Sequence, residues 1–242
     1  MKISSHNRGL QIPLSSVIED IRNKSTAIFV QIKYMPLLII FLLFSSMIIC
    51  LIFFVIEDRM TEYIPTISEI ATSFPNADIF SIFQAICAIF LTVLFTLYIS
   101  AADTWNAIDH RSVIICRILG CICPIFLILL SCFSLEENYN IHIISFVLVS
   151  FSFFAFFAIT LLQMRNILVK SILLIRSIFL FIIFLSFISI LIHTSFNTVS
   201  SPINAISQYV FFFFTGAFIL SFSQDLSLVK LQVVTLDDDK SN

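Results

Sequence analysis

The side chains of this sequence best suited to chemistry are two histidines, four carboxylates and a serine, all at the ends of long apolar runs. They are Ser68, Glu69, Asp78, Glu136, Glu137, His142 and His193. A histidine beside a carboxylate could form a pH-sensitive latch, because imidazole titrates near neutral pH and a neighbouring negative charge raises its pKa. The same pair could exchange protons with a lipid headgroup. Alternatively, these loop groups hydrogen-bond to one another and to solvent, so three interpretations stay open.

Other kinds of chemistry find no support in the sequence. No nucleophile motif, metal-ligand spacing or phosphate-binding loop occurs. All six cysteines lie inside apolar runs, where small polarizable side chains pack well, so no disulfide framework is indicated. We therefore predict no catalytic residue, no metal and no cofactor. An enzymatic role is not favoured, and no feature indicates nucleic-acid binding.

Composition identifies the elements that must position the polar residues. Hydrophobic residues make up 59% of the 242 and charged residues 12%, against about 25% charged residues in typical soluble domains. A membrane-spanning helix needs about 20 mainly apolar residues, and six runs satisfy this. They are Pro36 to Ile56, Ile79 to Ser100, Val113 to Phe133, Ile141 to Gln163, Ser171 to Ile192 and Ile206 to Phe222. The predicted fold is an all-α polytopic membrane protein with six transmembrane helices.

The distribution of basic residues predicts the orientation of these spans. With six spans, Arg59 is the only one of the thirteen Lys and Arg residues that falls on the far side of the membrane. Basic residues concentrate in cytosolic loops, so both termini are expected to be cytosolic. The predicted organisation is a cytosolic N-terminal segment (residues 1–35), a membrane domain (36–224) and a cytosolic tail (225–242).

Within the N-terminal segment, Leu14 to Tyr34 is predicted to form a helix, because isoleucines recur near one face and a capping-box pattern begins at Ser16. This helix could lie on an anionic membrane surface, or it could be an ordinary juxtamembrane segment.

The spans themselves carry few polar groups. Arg117 and Arg176 lie about one turn inside the cytosolic helix ends, where long basic side chains can snorkel to the surface. Gln84 and Gln163 are expected to join helices by hydrogen bonds. Channels and carriers place ionisable groups or broken helices near the midplane, so a transporter is disfavoured.

The longest connection, Glu57 to Asp78, is polar and contains two prolines. Pro65 and Pro75 each fix a backbone torsion, so the loop is expected to form an ordered cap on the far ends of the helices. We also predict that Glu69 and His142 share one site, with Ser68 and Asp78 nearby and His193 on the same side.

The spacing of this loop resembles the signature of the Frag/DRAM/Sfk family of six-span eukaryotic membrane proteins. The matching positions are Pro65, Ile67, Ser68, Glu69, Pro75, Asp78 and Phe80 in "PTISEIATSFPNADIF". "NIHIISF" at His142 and "RSIFLF" at Arg176 look like the starts of the family's fourth and fifth helices. Asn204 to Val233 is similar to the last helix and tail of the damage-regulated autophagy modulator branch, with Gln208, Gln224 and Asp225 in the C-terminal motif.

Two departures from the family pattern stand out. Family members commonly have an acidic residue after the helix-four histidine, where this chain has Ile143, and Glu-Trp where it has Gln208 and Tyr209. If those carboxylates carry chemistry in some members, this protein lacks it.

The resemblance implies a non-enzymatic endomembrane protein that acts through membrane lipids or other membrane proteins, in autophagy or lipid organisation. The alternative within the same family is a factor that remodels the lipid of GPI anchors. The implied location is the lysosome or vacuole, the Golgi or the plasma membrane.

Overall fold

The structure is a computed structural model that describes residues 28–30, 32–59, 64–196, 201–227 and 231–233. Within these residues it contains two short strands, a 3-10 turn and seven α-helices. In chain order they are β1 (Ile28–Val30), the turn (Ile32–Tyr34), α1 (Met35–Ile56), α2 (Ile67–Ile70), α3 (Asn76–Thr104), α4 (His110–Cys132), α5 (Tyr139–Met164), α6 (Lys170–Ser195), α7 (Pro202–Leu226) and β2 (Leu231–Val233). The chain divides into two compact units, residues 1–32 with 230–242, and residues 33–229.

In the first unit, β1 and β2 pair antiparallel, with Phe29 opposite Gln232. The helix predicted from Leu14 to Tyr34 lies mostly outside the described residues. Where the structure describes this stretch, Ile28–Val30 is a strand and Ile32–Tyr34 a 3-10 turn, so the helix does not run through to Tyr34. The sequence Ile-Phe-Val explains the difference, because β-branched and aromatic residues favour strands over helices.

The second unit contains the six predicted spans, and the all-α membrane architecture is confirmed. All six long helices are apolar and long enough to cross a membrane. Their outer faces expose large hydrophobic side chains such as Phe41, Ile89 and Phe181. Water would not tolerate so much exposed apolar surface, whereas lipid chains would.

The six spans form a closed ring. Each long helix packs against the next one along the chain, and α7 packs back against α1. Glycines permit the closest approaches, as is common between membrane helices. A Cβ at Gly120 of α4 would lie 3.2 Å from Phe95 Cβ of α3, and one at Gly216 of α7 would lie 3.0 Å from Ile40 Cδ1 of α1.

An aromatic cluster fills one half of the ring. The rings of Phe95 and Phe156 stack with centroids 4.2 Å apart, and those of Phe157 and Phe218 with centroids 4.1 Å apart. This half contains the N-terminal end of α1 and the C-terminal end of α7, and we call it the tail end. The opposite half, beneath the loop that holds α2, is the cap end.

A buried ion pair joins three helices at the tail end. Arg176 of α6 contacts Asp225 of α7 at 2.8 Å (Nη1 to Oδ2), with side-chain exposures of 2% and 7%. Arg176 also donates to the Ser221 hydroxyl and carbonyl oxygens, both at 2.8 Å. From α3, the Tyr98 hydroxyl donates to Asp225 Oδ2 at 2.9 Å. All three guanidinium nitrogens of Arg176 and the Oδ2 atom of Asp225 thus have protein partners, which offset the cost of burying the ion pair.

The structure therefore corrects one expectation and confirms two others about polar groups in the spans. Arg176 does not snorkel to the surface. Arg117 is half exposed, and its guanidinium lies 3.5 Å from the Asp103 carboxylate. Gln163 joins helices as expected, because its Nε2 donates to Asp109 Oδ2 at 2.6 Å.

Asp109 also caps α4. Its carboxylate accepts hydrogen bonds from the Ser112 hydroxyl and from the N–H groups of Ser112 and Arg111. These bonds, that of the Ser112 side chain foremost, lower the pKa of Asp109, because each of them favours the ionised carboxylate.

Replacing Arg176 with methionine is expected to lower the free energy of unfolding by about 3 to 5 kcal/mol, because Asp225 then stays buried without its partner. Thermal unfolding of the purified protein in detergent measures the loss. The double variant Arg176→Met, Asp225→Leu should recover much of it. Arg117→Met is the matched control and should cost less than about 1 kcal/mol, since that pair is exposed. Equal losses for the two single variants would contradict a structural role for the buried pair.

Candidate functional site

The cap, residues Pro65 to Asn76, closes one end of the helix ring. A capping box organises it: Thr66 Oγ1 accepts from the Glu69 N–H at 3.1 Å, and Glu69 Oε2 accepts from the Thr66 N–H at 2.7 Å. This reciprocal pair satisfies two donors at the start of α2. The Phe74–Pro75 peptide bond is cis. The cap is therefore ordered, as the prolines led us to expect.

Side chains from two spans fix the cap to the ring. The Tyr209 hydroxyl of α7 donates to the Pro65 carbonyl at 3.0 Å, and the Ser68 N–H donates to Gln208 Oε1 at 3.4 Å. At the other end of the cap, Asn76 is fully buried, and its Nδ2 donates to the carbonyls of Cys50 at 3.0 Å and Ile70 at 2.9 Å. The sequence analysis did not identify Asn76, although an amide directly after Pro75 at the start of an apolar run was a usable signal.

His142, near the start of α5, connects the cap to α4. Its Nδ1 lies 2.7 Å from the Phe133 carbonyl, and its Nε2 lies 3.1 Å from Ser68 Oγ. A carbonyl only accepts hydrogen bonds, so Nδ1 carries the proton and Nε2 accepts from the serine hydroxyl. The imidazole is 7% exposed and satisfied in its neutral form. Ser68 and His142 thus form a contact within the predicted cluster that links the cap to α5 through side chains.

The other predicted members are engaged elsewhere. In the described part of the chain, neither ring nitrogen of His142 is hydrogen-bonded to Glu69, whose Oε2 serves the capping box. Asp78 is exposed in the first turn of α3, and His193 Nδ1 contacts Ser201 Oγ at 3.2 Å. The predicted pair of Glu69 and His142 is therefore replaced by Ser68 and His142, because the capping box turns the glutamate toward the cap's own backbone.

Glu136 and Glu137 lie in the connection between α4 and α5. Glu137 Oε2 accepts from the Ser134 N–H at 3.2 Å, and Ser134 Oγ accepts from the Glu137 N–H at 3.2 Å. This loop thus satisfies its own polar groups.

Beneath the cap lies a cavity of about 120 Å³ inside the ring. Its lining is mostly aliphatic and aromatic, and Ile67, Ser68 and Phe80 of the family-like loop contribute to it. The polar lining residues are Ser68, Gln84, Ser131, Ser134, His142, Gln208 and Thr215, and no Asp, Glu, Lys or Arg of the described residues lines it. Leu91, Phe153 and Ile219 also line it, and the Phe153 ring contacts Phe95 of the aromatic cluster with centroids 6.1 Å apart. The arrangement suits an uncharged, largely apolar occupant.

The structure does not show the interhelical hydrogen bond that was expected for the Gln84 side-chain oxygen. Its side chain is 2% exposed and lines the cavity, and Oε1 has no hydrogen-bond partner among the described residues.

The described residues contain no group of three or more His, Cys, Asp or Glu side chains that could hold a metal. In the predicted C-terminal motif, Gln208 lines the cavity, Gln224 is exposed, and Asp225 belongs to the buried ion pair.

A family model described as the Frag1/DRAM/Sfk1/Cwh43P N-terminal domain matches residues 31–229. This range includes all six spans, the cap and the cavity, and it confirms the resemblance read from the loop motif. No curated protein and no solved structure gives a significant match to the chain.

Ser68→Ala and His142→Ala are expected to be coupled, because each removes the same hydrogen bond between the cap and α5. Each should raise the rate of proteolysis within the cap, and the bond itself should contribute about 1 kcal/mol. The double variant should be little worse than His142→Ala alone. The effect of Glu69→Gln on proteolysis should add to that of His142→Ala, because Glu69 acts on the cap through its hydrogen bond with Thr66. Additive effects of the Ser68 and His142 variants would contradict the shared contact.

Proposed function

The chain belongs to the Frag1/DRAM/Sfk1/Cwh43P N-terminal domain family, and we propose that it is a non-enzymatic endomembrane protein that holds and organises a membrane lipid within its helix ring. The observation that carries this proposal is the apolar cavity beneath the cap. The motif that identifies the family contributes directly to this cavity through Ile67, Ser68 and Phe80.

Three features support a lipid as the occupant. The cavity lies inside a ring whose outer faces are apolar, so molecules dissolved in the bilayer are its nearest ligands. Its lining combines a large apolar surface with a few polar groups, which is the usual composition of a ligand site. No charged side chain of the described residues lines the cavity, whereas an ion-conducting path would be expected to contain one.

The resemblance to the autophagy-modulator branch supports a role in autophagy at a lysosomal or vacuolar membrane. The distribution of Lys and Arg supports cytosolic termini. A cytosolic tail would then be available to other membrane proteins, while the cap would face the lumen or the cell exterior.

Filling the cavity is expected to expel its occupant. Val149 lines the cavity and is 3% exposed, whereas Val93 is 41% exposed on the outer face of α3. Val149→Phe should remove most of the lipid that copurifies with the protein, measured by mass spectrometry per mole of chain. Val93→Phe is the matched control and should retain it, because the same side chain then points into the surrounding lipid.

Size-exclusion chromatography of both variants verifies that they are folded. Equal amounts of copurified lipid in a folded Val149→Phe variant and in the wild type would contradict the cavity as the lipid site.

A second candidate function is remodelling of GPI-anchor lipids, and the contact between Ser68 and His142 is the observation that favours it. A serine hydroxyl donating to Nε2, with Nδ1 held by a carbonyl, is the arrangement of a nucleophile and its general base. The pair also lines the cavity, where an acyl chain would fit.

If this second candidate is right, an epitope-tagged chain should reside in the Golgi, and Ser68→Ala should change the acyl chains of GPI-anchored proteins as fully as deletion does. Thr72→Ala is a suitable control, since Thr72 lies in the cap and its hydroxyl bonds to Glu69 O without contacting His142. Unchanged acyl chains in the Ser68 variant, with normal protein levels, would leave the non-enzymatic function as the better explanation.

A further inference from the structure

Two polar atoms inside the cavity have no protein partner. Gln84 Oε1 of α3 and Thr215 Oγ1 of α7 are buried without a hydrogen bond in the described part of the chain. Both residues line the cavity, and their exposures are 2% and 7%. A buried acceptor left unpaired lowers stability, and buried polar groups in native proteins almost always have partners. A molecule within the cavity is the natural partner for these two.

The polar groups nearer the cap are already engaged. Both nitrogens of His142 have partners, Gln208 Oε1 accepts from the Ser68 N–H, and the Ser131 hydroxyl donates to the Ile128 carbonyl. A polar ligand group therefore finds its free partners at Gln84 and Thr215, deeper in the ring. Gln84 is eight residues into α3, which corresponds to about 12 Å along the helix axis. This depth places the free acceptor well inside the apolar part of the bilayer.

The chemistry at this depth excludes a charged head. No charged side chain of the described residues lines the cavity, and an isolated charge buried in hydrocarbon is strongly disfavoured. A hydroxyl is the neutral group that matches either free atom, since it can donate to Gln84 Oε1 and it can accept from the Thr215 hydroxyl.

We propose that the cavity selects an uncharged lipid with a free hydroxyl, and that Gln84 recognises this hydroxyl with Thr215. This proposal rests on the lipid-holding function proposed above. It adds the chemical class of the lipid and the residues that form hydrogen bonds with its hydroxyl. The apolar remainder of the ligand would contact the aliphatic and aromatic lining, which includes Phe153 and Ile219.

A matched set of photoactivatable probes tests this selection on the purified full-length chain in nanodiscs. The probes are an 18-carbon alcohol, its methyl ether and its phosphate ester, each with the same chain-borne diazirine. The ether cannot donate to Gln84 Oε1, so the alcohol should label cavity peptides about fivefold more strongly, as expected for one hydrogen bond. The phosphate should label them least. Excess unlabelled monoacylglycerol and excess sterol, which both carry a free hydroxyl, are added in separate arms, and the one that displaces the alcohol identifies the class of hydroxyl lipid that binds.

Gln84→Leu should reduce labelling by the alcohol to the level of the ether while leaving labelling by the ether unchanged. Gln224→Leu is the matched control, because Gln224 is exposed on α7 and should keep the wild-type preference. If Gln84→Leu fails to fold, Thr215→Val provides the second test, since it removes the other free hydrogen-bonding atom at nearly constant volume.

Each outcome has a distinct meaning. Equal labelling by alcohol and ether in the wild type would overturn hydroxyl recognition and leave lipid binding intact. Labelling that neither monoacylglycerol nor sterol displaces would overturn the selection of a hydroxyl lipid. If no probe labels cavity peptides, both the selection and the proposed lipid-holding function fail, and water is the occupant.

Discussion

In the apolar part of a bilayer, a polar group has no water to bond with, so the protein or a ligand must satisfy it. This constraint accounts for the main features of the structure. Arg176 is buried because Asp225 and Ser221 accept hydrogen bonds from its guanidinium. Tyr98 in turn donates a hydrogen bond to the Asp225 carboxylate. The imidazole of His142 is buried because a carbonyl and a serine occupy its two nitrogens. The same reasoning makes Gln84 conspicuous, since its amide oxygen lacks any such partner among the described residues.

The two ends of the ring satisfy this constraint in different ways. At the tail end, the Arg176 guanidinium and the Asp225 carboxylate neutralise each other, and stacked phenylalanine rings fill the remaining space. At the cap end, the polar contacts are neutral and space is left beneath them. One half of the bundle is therefore built for rigidity, and the other half offers room for a ligand.

Much of the fold could be predicted from the sequence, because apolar run length and family-like loop spacing both leave strong local patterns. The six spans and the ordered cap belong to this class. The partner of Arg176 could not be predicted, since Asp225 lies 49 positions away and only the packing of α6 against α7 brings the two side chains together. Glu69 was assigned to His142 because both lie at helix ends on the same side of the membrane, whereas a local capping box with Thr66 determined the direction of the Glu69 side chain. The cavity depends on the shapes of side chains from several helices, so it could not be predicted from the sequence.

The closure of the ring has a consequence for the order in which the protein is made. α7 supplies Gln208, Thr215 and Gly216 to the cavity wall, and it also anchors the cap through Tyr209. Of the six described spans it is the last to leave the ribosome. While the chain is being synthesised, the earlier spans can pair with their neighbours, but the cap has no anchor on α7 and the cavity has no finished wall. The cavity can therefore take up a ligand only after α7 has been inserted.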